Sequence, residues 1–90
     1  MDDIPIYEWD ETKRQATLKN RGIDFAGMVF FDWGSARTIE DTRNDYGETR
    51  YVSIGFITGR LHVCIWCHRG EAVRVISLRK ANHDERQNYG

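Results

Sequence analysis

Between Arg50 and Arg79 apolar and polar residues alternate in three short runs separated by two tight turns, and few arrangements satisfy that pattern. In Arg50 to Ile57, the side chains of Val52, Ile54 and Phe56 fall on one face. Thr58-Gly59 then turns the chain into Arg60 to His68. A two-residue turn sets Phe56 opposite Leu61, Ile54 opposite Val63 and Val52 opposite Ile65. All six are apolar, and a slip of one residue would send each to the wrong side. Arg69-Gly70 turns the chain again into Ala72 to Arg79, where the reading sets Val63 opposite Ile76 and Leu61 opposite Leu78. The pattern predicts three antiparallel strands with these residues as the core face.

The other face of those strands would carry Tyr51, Ser53, Gly55, His62, Cys64, Trp66, Val73, Val75, Ser77 and Arg79. Small and polar residues gather at its Gly55–His62–Ser77 end, and Arg79 follows. Such a face either holds a ligand or is plain solvated surface, and the sequence leaves both readings open. Cys64 and Cys67 form a C-x-x-C pair, but a strand sends positions three apart to opposite faces. That suits neither a redox pair nor a shared metal, so two small buried thiols in a reducing cytoplasm are expected. His62 and His68 add metal-binding side chains, yet the second ligand pair of a structural zinc site is missing. No metal and no cofactor is expected.

The rest of the chain predicts short helices. Ile4 to Trp9 reads as an extended segment, held to an edge or a strand start by Pro5. Asp10 is a good N-cap for a helix over Glu11 to Arg21, with Gly22 as its left-handed C-terminal stop. Asp24 can cap a second short helix, Phe25 to Phe31, that buries Phe25, Met28, Val29 and Phe30. Arg37 to Tyr46 reads as loop or short strand. Asn82 opens a last helix, and Glu85 three residues on completes a capping box. Trp9 and Trp33 read as core.

A chain of 90 residues predicts a single domain over residues 1–90. No apolar run reaches the roughly 18 residues of a membrane helix, and the acidic start shows no secretory apolar block. A cytoplasmic protein without membrane contact is expected. Net charge is −1, which excludes a strongly basic nucleic-acid-coating protein. The balance is uneven, however. Residues 1–45 hold ten acids and six bases, whereas residues 46–90 hold seven bases, six of them Arg, and four acids. Arginine's planar fork matches phosphate oxygens.

One ordered set of residues resembles a known family. It begins Trp9-Asp10-Glu11-x-Lys13 and Gly22-Ile23-Asp24-Phe25, then continues with Glu40-Asp41, Arg43 and Tyr46-Gly47-Glu48-x-Arg50. Gly55, Gly59-Arg60 and Arg69-Gly70 follow, and then Arg74-Val75-Ile76-Ser77-x-Arg79-Lys80-Ala81, Glu85-Arg86 and Tyr89. Over residues 7–89 the chain resembles the BrnT toxins of bacterial type II toxin–antitoxin pairs. It departs on the first helix, where the family carries Asn and then Lys-His-Gly and this chain has Thr17 and Asn20-Arg21-Gly22.

The resemblance implies an α+β, RelE-like fold, with N-terminal helices packed on an antiparallel sheet and a short C-terminal helix. It implies a metal-independent endoribonuclease that cleaves mRNA and blocks translation. The implied partner is a BrnA-like antitoxin with a ribbon–helix–helix part, joined to the toxin in a hetero-oligomer. DNA would be met only through that antitoxin. The alternative of another class is a non-catalytic antitoxin-binding protein and operon co-repressor of the same fold.

RNA cleavage without metal must deprotonate the 2′-hydroxyl, stabilise a phosphorane and protonate the 5′-oxygen. On this reading Arg69 and Arg79 are the leading pair for the phosphorane oxygens. Glu48 is a general base or an Arg-orienting partner, and Lys13 a phosphate contact. His62 has the intrinsic pKa for proton transfer, with a partly buried pairing role as its alternative. Tyr89 either stacks a base or packs the last helix. Asp2 and Asp3 are candidates for receiving a basic antitoxin segment.

Overall fold

A computed structural model describes residues 5–89. Ile4, Asp2 and Asp3, to which the sequence reading assigned roles, lie outside the described residues. The described residues form five strands: β1 (Ile6–Trp9), β2 (Arg37–Asp41), β3 (Arg50–Ile57), β4 (Arg60–Arg69) and β5 (Ala72–Lys80). Helix α1 spans Glu11–Arg21, a 3-10 helix spans Phe25–Phe30, and helix α2 spans His83–Tyr89. All five strands join in one sheet of order β1-β5-β4-β3-β2.

The β3–β4 hairpin has the register that the alternation sets: Phe56 faces Leu61, Ile54 faces Val63 and Val52 faces Ile65. Thr58 and Gly59 form the turn with φ of 45° and 82°, the left-handed conformation that a two-residue hairpin turn needs.

Strand β5 departs from expectation. Its ladder with β4 shifts register beside Ile65 and Trp66, so Trp66 faces Val75, Ile65 faces Ser77 and Ile76 is the extra residue. Val63 therefore faces Arg79, not Ile76, and Cys64 faces Leu78. The bulge flips the strand's phase. Val73 and Val75 point to one face before it, and Ser77 and Arg79 point to the other after it.

The sheet is mixed, not purely antiparallel, because β1 runs parallel to β5 with Tyr7 beside Val73 and Trp9 beside Val75. The expected packing of N-terminal helices on the sheet is also corrected. Helix α1 has its Asp10 cap and its Gly22 stop at φ 69°, yet it buries no residue. The second short helix is a 3-10 turn, and it does the packing. Phe25 and Met28 from it join Phe31, Cys64, Trp66, Val73, Val75 and Leu78 in the main core.

That core lies on the face read as ligand-binding or solvated. Ser53 and Gly55 are small because large side chains occupy the space above them. Trp66 Nε1 donates to Ser53 Oγ at 2.8 Å, and a Cβ on Gly55 would stand 2.6 Å from the Phe31 ring. The face of Val52, Ile54 and Phe56 is only half covered, and with Leu61, Val63 and Ala81 it forms a smaller cluster against Tyr89. Tyr89 packs edge-to-face on Phe56, and its hydroxyl donates to the Ser35 carbonyl oxygen.

The two cysteines occupy opposite faces. Cys64 is fully buried in the main core, and burial pushes its thiol up to about 12. Cys67 is also buried and raised, first by burial and then by the Glu48 carboxylate. Because the thiolate is the reactive form, neither cysteine should react with a disulfide reagent on a timescale of minutes in the folded chain. Both should react promptly in denaturant, and absorbance of the released thiol would measure it.

Candidate functional site

On the half-covered face, one row of residues crosses the whole sheet. Register aligns Asp41, Arg50, Cys67, Arg74 and Glu8 on strands β2, β3, β4, β5 and β1 in turn. Neighbouring cross-strand side chains lie about 5 Å apart, so the row sets a guanidinium on each side of a buried thiol and a carboxylate beyond each guanidinium. Arg74 pairs with Glu8 at 3.0 Å. Arg50 pairs with Glu48 at 3.2 Å and lies over the Tyr46 ring at 4.0 Å. Asp41 is held by Arg43 through two bonds of 2.8 and 2.9 Å, and this guanidinium drives its carboxyl well below the usual range.

Helix α1 closes this row into a cleft. Asp10 Oδ1 accepts the backbone N–H groups of Thr12 and Lys13 at 2.9 and 3.3 Å, which fixes the first helical turn beside β5. The cleft, of about 310 Å³, is lined by Asp10, Lys13, Tyr46, Glu48, Arg50, Arg69, Arg74, Val75 and Ile76. Four cations thus converge with two carboxylates. Arg50 and Arg74 are committed to ion pairs, whereas Lys13 and Arg69 have none among the described residues. Glu48 and Arg69 both act on the buried Cys67 thiol, the carboxylate raising it and the guanidinium lowering it. A second cleft of about 200 Å³ shares Lys13 and Ile76 and runs on along α1 past Thr17, Asn20 and Arg21.

Of the five residues singled out by sequence, the structure brings Lys13, Glu48 and Arg69 into one cleft. His62 is elsewhere. It faces Gly55 and Lys80 on the main-core side, is 7% exposed, and its Nδ1 lies 2.8 Å from the Arg60 carbonyl oxygen. Arg79 was expected on the face of His62, but the bulge puts it on the opposite one, and it does not line the cleft. Its fork is taken by Glu85 of α2 through two 2.7 Å bonds. Sequence reasoning did not single out Arg50, Arg74, Asp10 and Tyr46 as site residues, although all four stand in the ordered pattern. Strand register is the signal that joins the two arginines.

The Arg79–Glu85 pair makes a pH prediction. Arg79 first, and then the Asn82 backbone N–H, hold the Glu85 carboxyl at about 2, below its ordinary 4.5. A lowered folded pKa contributes stability that is complete above the unfolded value and is lost as pH falls through the folded one. Glu85→Gln should therefore lower stability at pH 6 by less than about 1 kcal/mol for a part-exposed pair. The difference from the parent chain should shrink between pH 4.5 and 2, as followed by circular dichroism.

Neither a curated protein nor a solved structure matches the chain. Residues 9–85 match the family model described as the ribonuclease toxin, BrnT, of type II toxin-antitoxin systems. The match takes in every residue lining the two clefts and most of the chain, and the chain belongs to the BrnT family of ribonuclease toxins.

Proposed function

We propose that the chain cleaves mRNA in the cleft between α1 and the sheet, without a metal ion, and so arrests translation in the cytoplasm. The observation that carries this reading is the convergence of Lys13, Glu48 and Arg69 with Arg50 and Arg74 in one cleft. Phosphoryl chemistry asks for charge placed in advance around the phosphorane. Lys13 and Arg69 bear no carboxylate among the described residues, so their N–H groups are available to phosphate oxygens. Arg50 and Arg74, each tied to a carboxylate, hold the walls. Glu48, turned toward the cleft beside Arg50, takes the proton of the 2′-hydroxyl as it attacks phosphorus. Lys13 returns a proton to the departing 5′-oxygen. The products are a 2′,3′-cyclic phosphate and a 5′-hydroxyl end.

The family is one of toxins paired with antitoxins. We read the antitoxin as BrnA-like, with a ribbon–helix–helix part that carries the complex to operator DNA. The RelE-like arrangement belongs to the same proposal. No helix of the described residues is long and apolar enough to cross a membrane.

The test is expression of the chain alone, with mapping of new 5′-hydroxyl RNA ends and an Arg69→Ala control, followed by cleavage by purified protein in excess chelator. Growth arrest with new ends that vanish in the control supports the reading. Antitoxin binding without arrest or cleavage would mark a non-catalytic partner and co-repressor.

A further inference from the structure

A separate cleft lies at the other end of the sheet, where β3 turns into β4 and α2 leaves β5. It measures about 430 Å³. Its floor is apolar, from Phe56, Leu61, Ala81 and Tyr89, and its cations are Arg60, Lys80 and Arg86. No acidic side chain lines it, and none of the three cations has a carboxylate partner among the described residues. Phe56 is six residues from Arg50 along β3, about 20 Å at ~3.3 Å per residue, so this cleft is distinct from the ribonuclease site.

We propose that this cleft docks an acidic amphipathic segment of the antitoxin, apolar side chains entering against Leu61 and Phe56 and carboxylates meeting Arg60, Lys80 and Arg86. The proposal rests on the toxin–antitoxin reading but not on RNA cleavage. Charge complementarity selects an acidic occupant. Its chemistry is peptide, not RNA, for two reasons. A bound base needs a free aromatic face. Here the Phe56 and Tyr89 rings pack on each other at 85° with centroids 5.4 Å apart, and the Arg37 guanidinium lies 5.2 Å over Tyr89. Base edges are also commonly read by amide and hydroxyl side chains, and no Asn, Gln, Ser or Thr lines the cleft. An apolar floor with a cationic rim instead fits the anchors and flanking carboxylates of an amphipathic segment.

The experiment titrates the purified full-length antitoxin into the parent chain and into an Arg60→Glu/Lys80→Glu double variant by calorimetry, with RNA cleavage measured on both. Antitoxin affinity should fall at least tenfold in the variant, with a weaker salt dependence, while RNA cleavage stays as in the parent. Should the reversed charges disturb folding by circular dichroism, Arg60→Gln/Lys80→Gln provides the same test with a smaller expected loss. Unchanged antitoxin affinity overturns the proposal. A variant that loses RNA cleavage and keeps antitoxin binding overturns it in favour of an RNA subsite. Absence of cleavage in the parent chain would remove the ribonuclease reading alone, because docking is read by calorimetry.

Discussion

Arg69→Ala is expected to lower RNA cleavage by about 10²–10³-fold, the usual cost of removing one preorganised donor to a charge that develops in the transition state. Arg69 ends β4 at the cleft, is exposed and is tied to no carboxylate among the described residues. Its truncation leaves the buried Cys67 thiol its Glu48 partner, so stability should move by less than about 0.5 kcal/mol. Arg69→Lys should recover only part of the rate, because a point charge does not reproduce the two parallel bonds of a guanidinium. Arg79→Ala separates the cleft from the pair chosen on sequence grounds. The Arg79 fork is already closed on Glu85, so its loss should cost less than tenfold in rate. Single-turnover cleavage of a short RNA by the three variants decides the matter. Equal losses at positions 69 and 79 would move the chemistry out of the cleft and toward α2.

The difference between these two arginines shows what the sequence could not carry. The β3–β4 register was legible because a two-residue turn and six apolar side chains admit one solution. The phase of β5 was not, because the extra residue, Ile76, is an apolar side chain directly after Val75, with no glycine to mark a bulge. One inserted residue moved Arg79 from one side of the sheet to the other. The parallel pairing of β1 with β5 joins segments more than sixty residues apart, and no local pattern signals it. The choice of core face was also hidden, since both faces carry apolar residues. It is decided by the 3-10 helix, which delivers Phe25 and Met28 onto Trp66 and Val75. For the site, Lys13, Glu48 and Arg69 came from the family pattern, one from a helix, one from a loop and one from a strand end. Only the transverse row through Cys67 adds Arg50 and Arg74 to them.

Gly55→Ala should destabilise the fold by about 1–3 kcal/mol, and its sign discriminates between the two readings of that face. Were Gly55 the floor of an open groove, a methyl group would meet nothing, and the restricted unfolded chain would make alanine stabilising by about 0.4–1 kcal/mol. The backbone offers no objection, because Gly55 is not among the positive-φ glycines. The objection is steric: the new Cβ would stand 2.6 Å from Phe31 Cζ and 3.0 Å from Ala36 Cβ. Phe31 has little room to retreat. It is 6% exposed, its N–H donates to the Met28 carbonyl oxygen at 3.0 Å, and the Trp33 ring stands 4.7 Å away at 66°. Trp33 is itself braced, with Nε1 donating to Tyr7 Oη at 2.7 Å and its ring edge-to-face with Trp66. Strain at Gly55 therefore passes into the centre of the core. For a domain of this size each kcal/mol lowers the melting temperature by about 4–8 °C, which calorimetry resolves easily. Phe31→Leu removes the ring atoms that make the closest contact, so the alanine should cost less in that background than in the parent chain. Equal costs in the two backgrounds would mean that Gly55 is not the seat of Phe31, and the open-groove reading of the face would return.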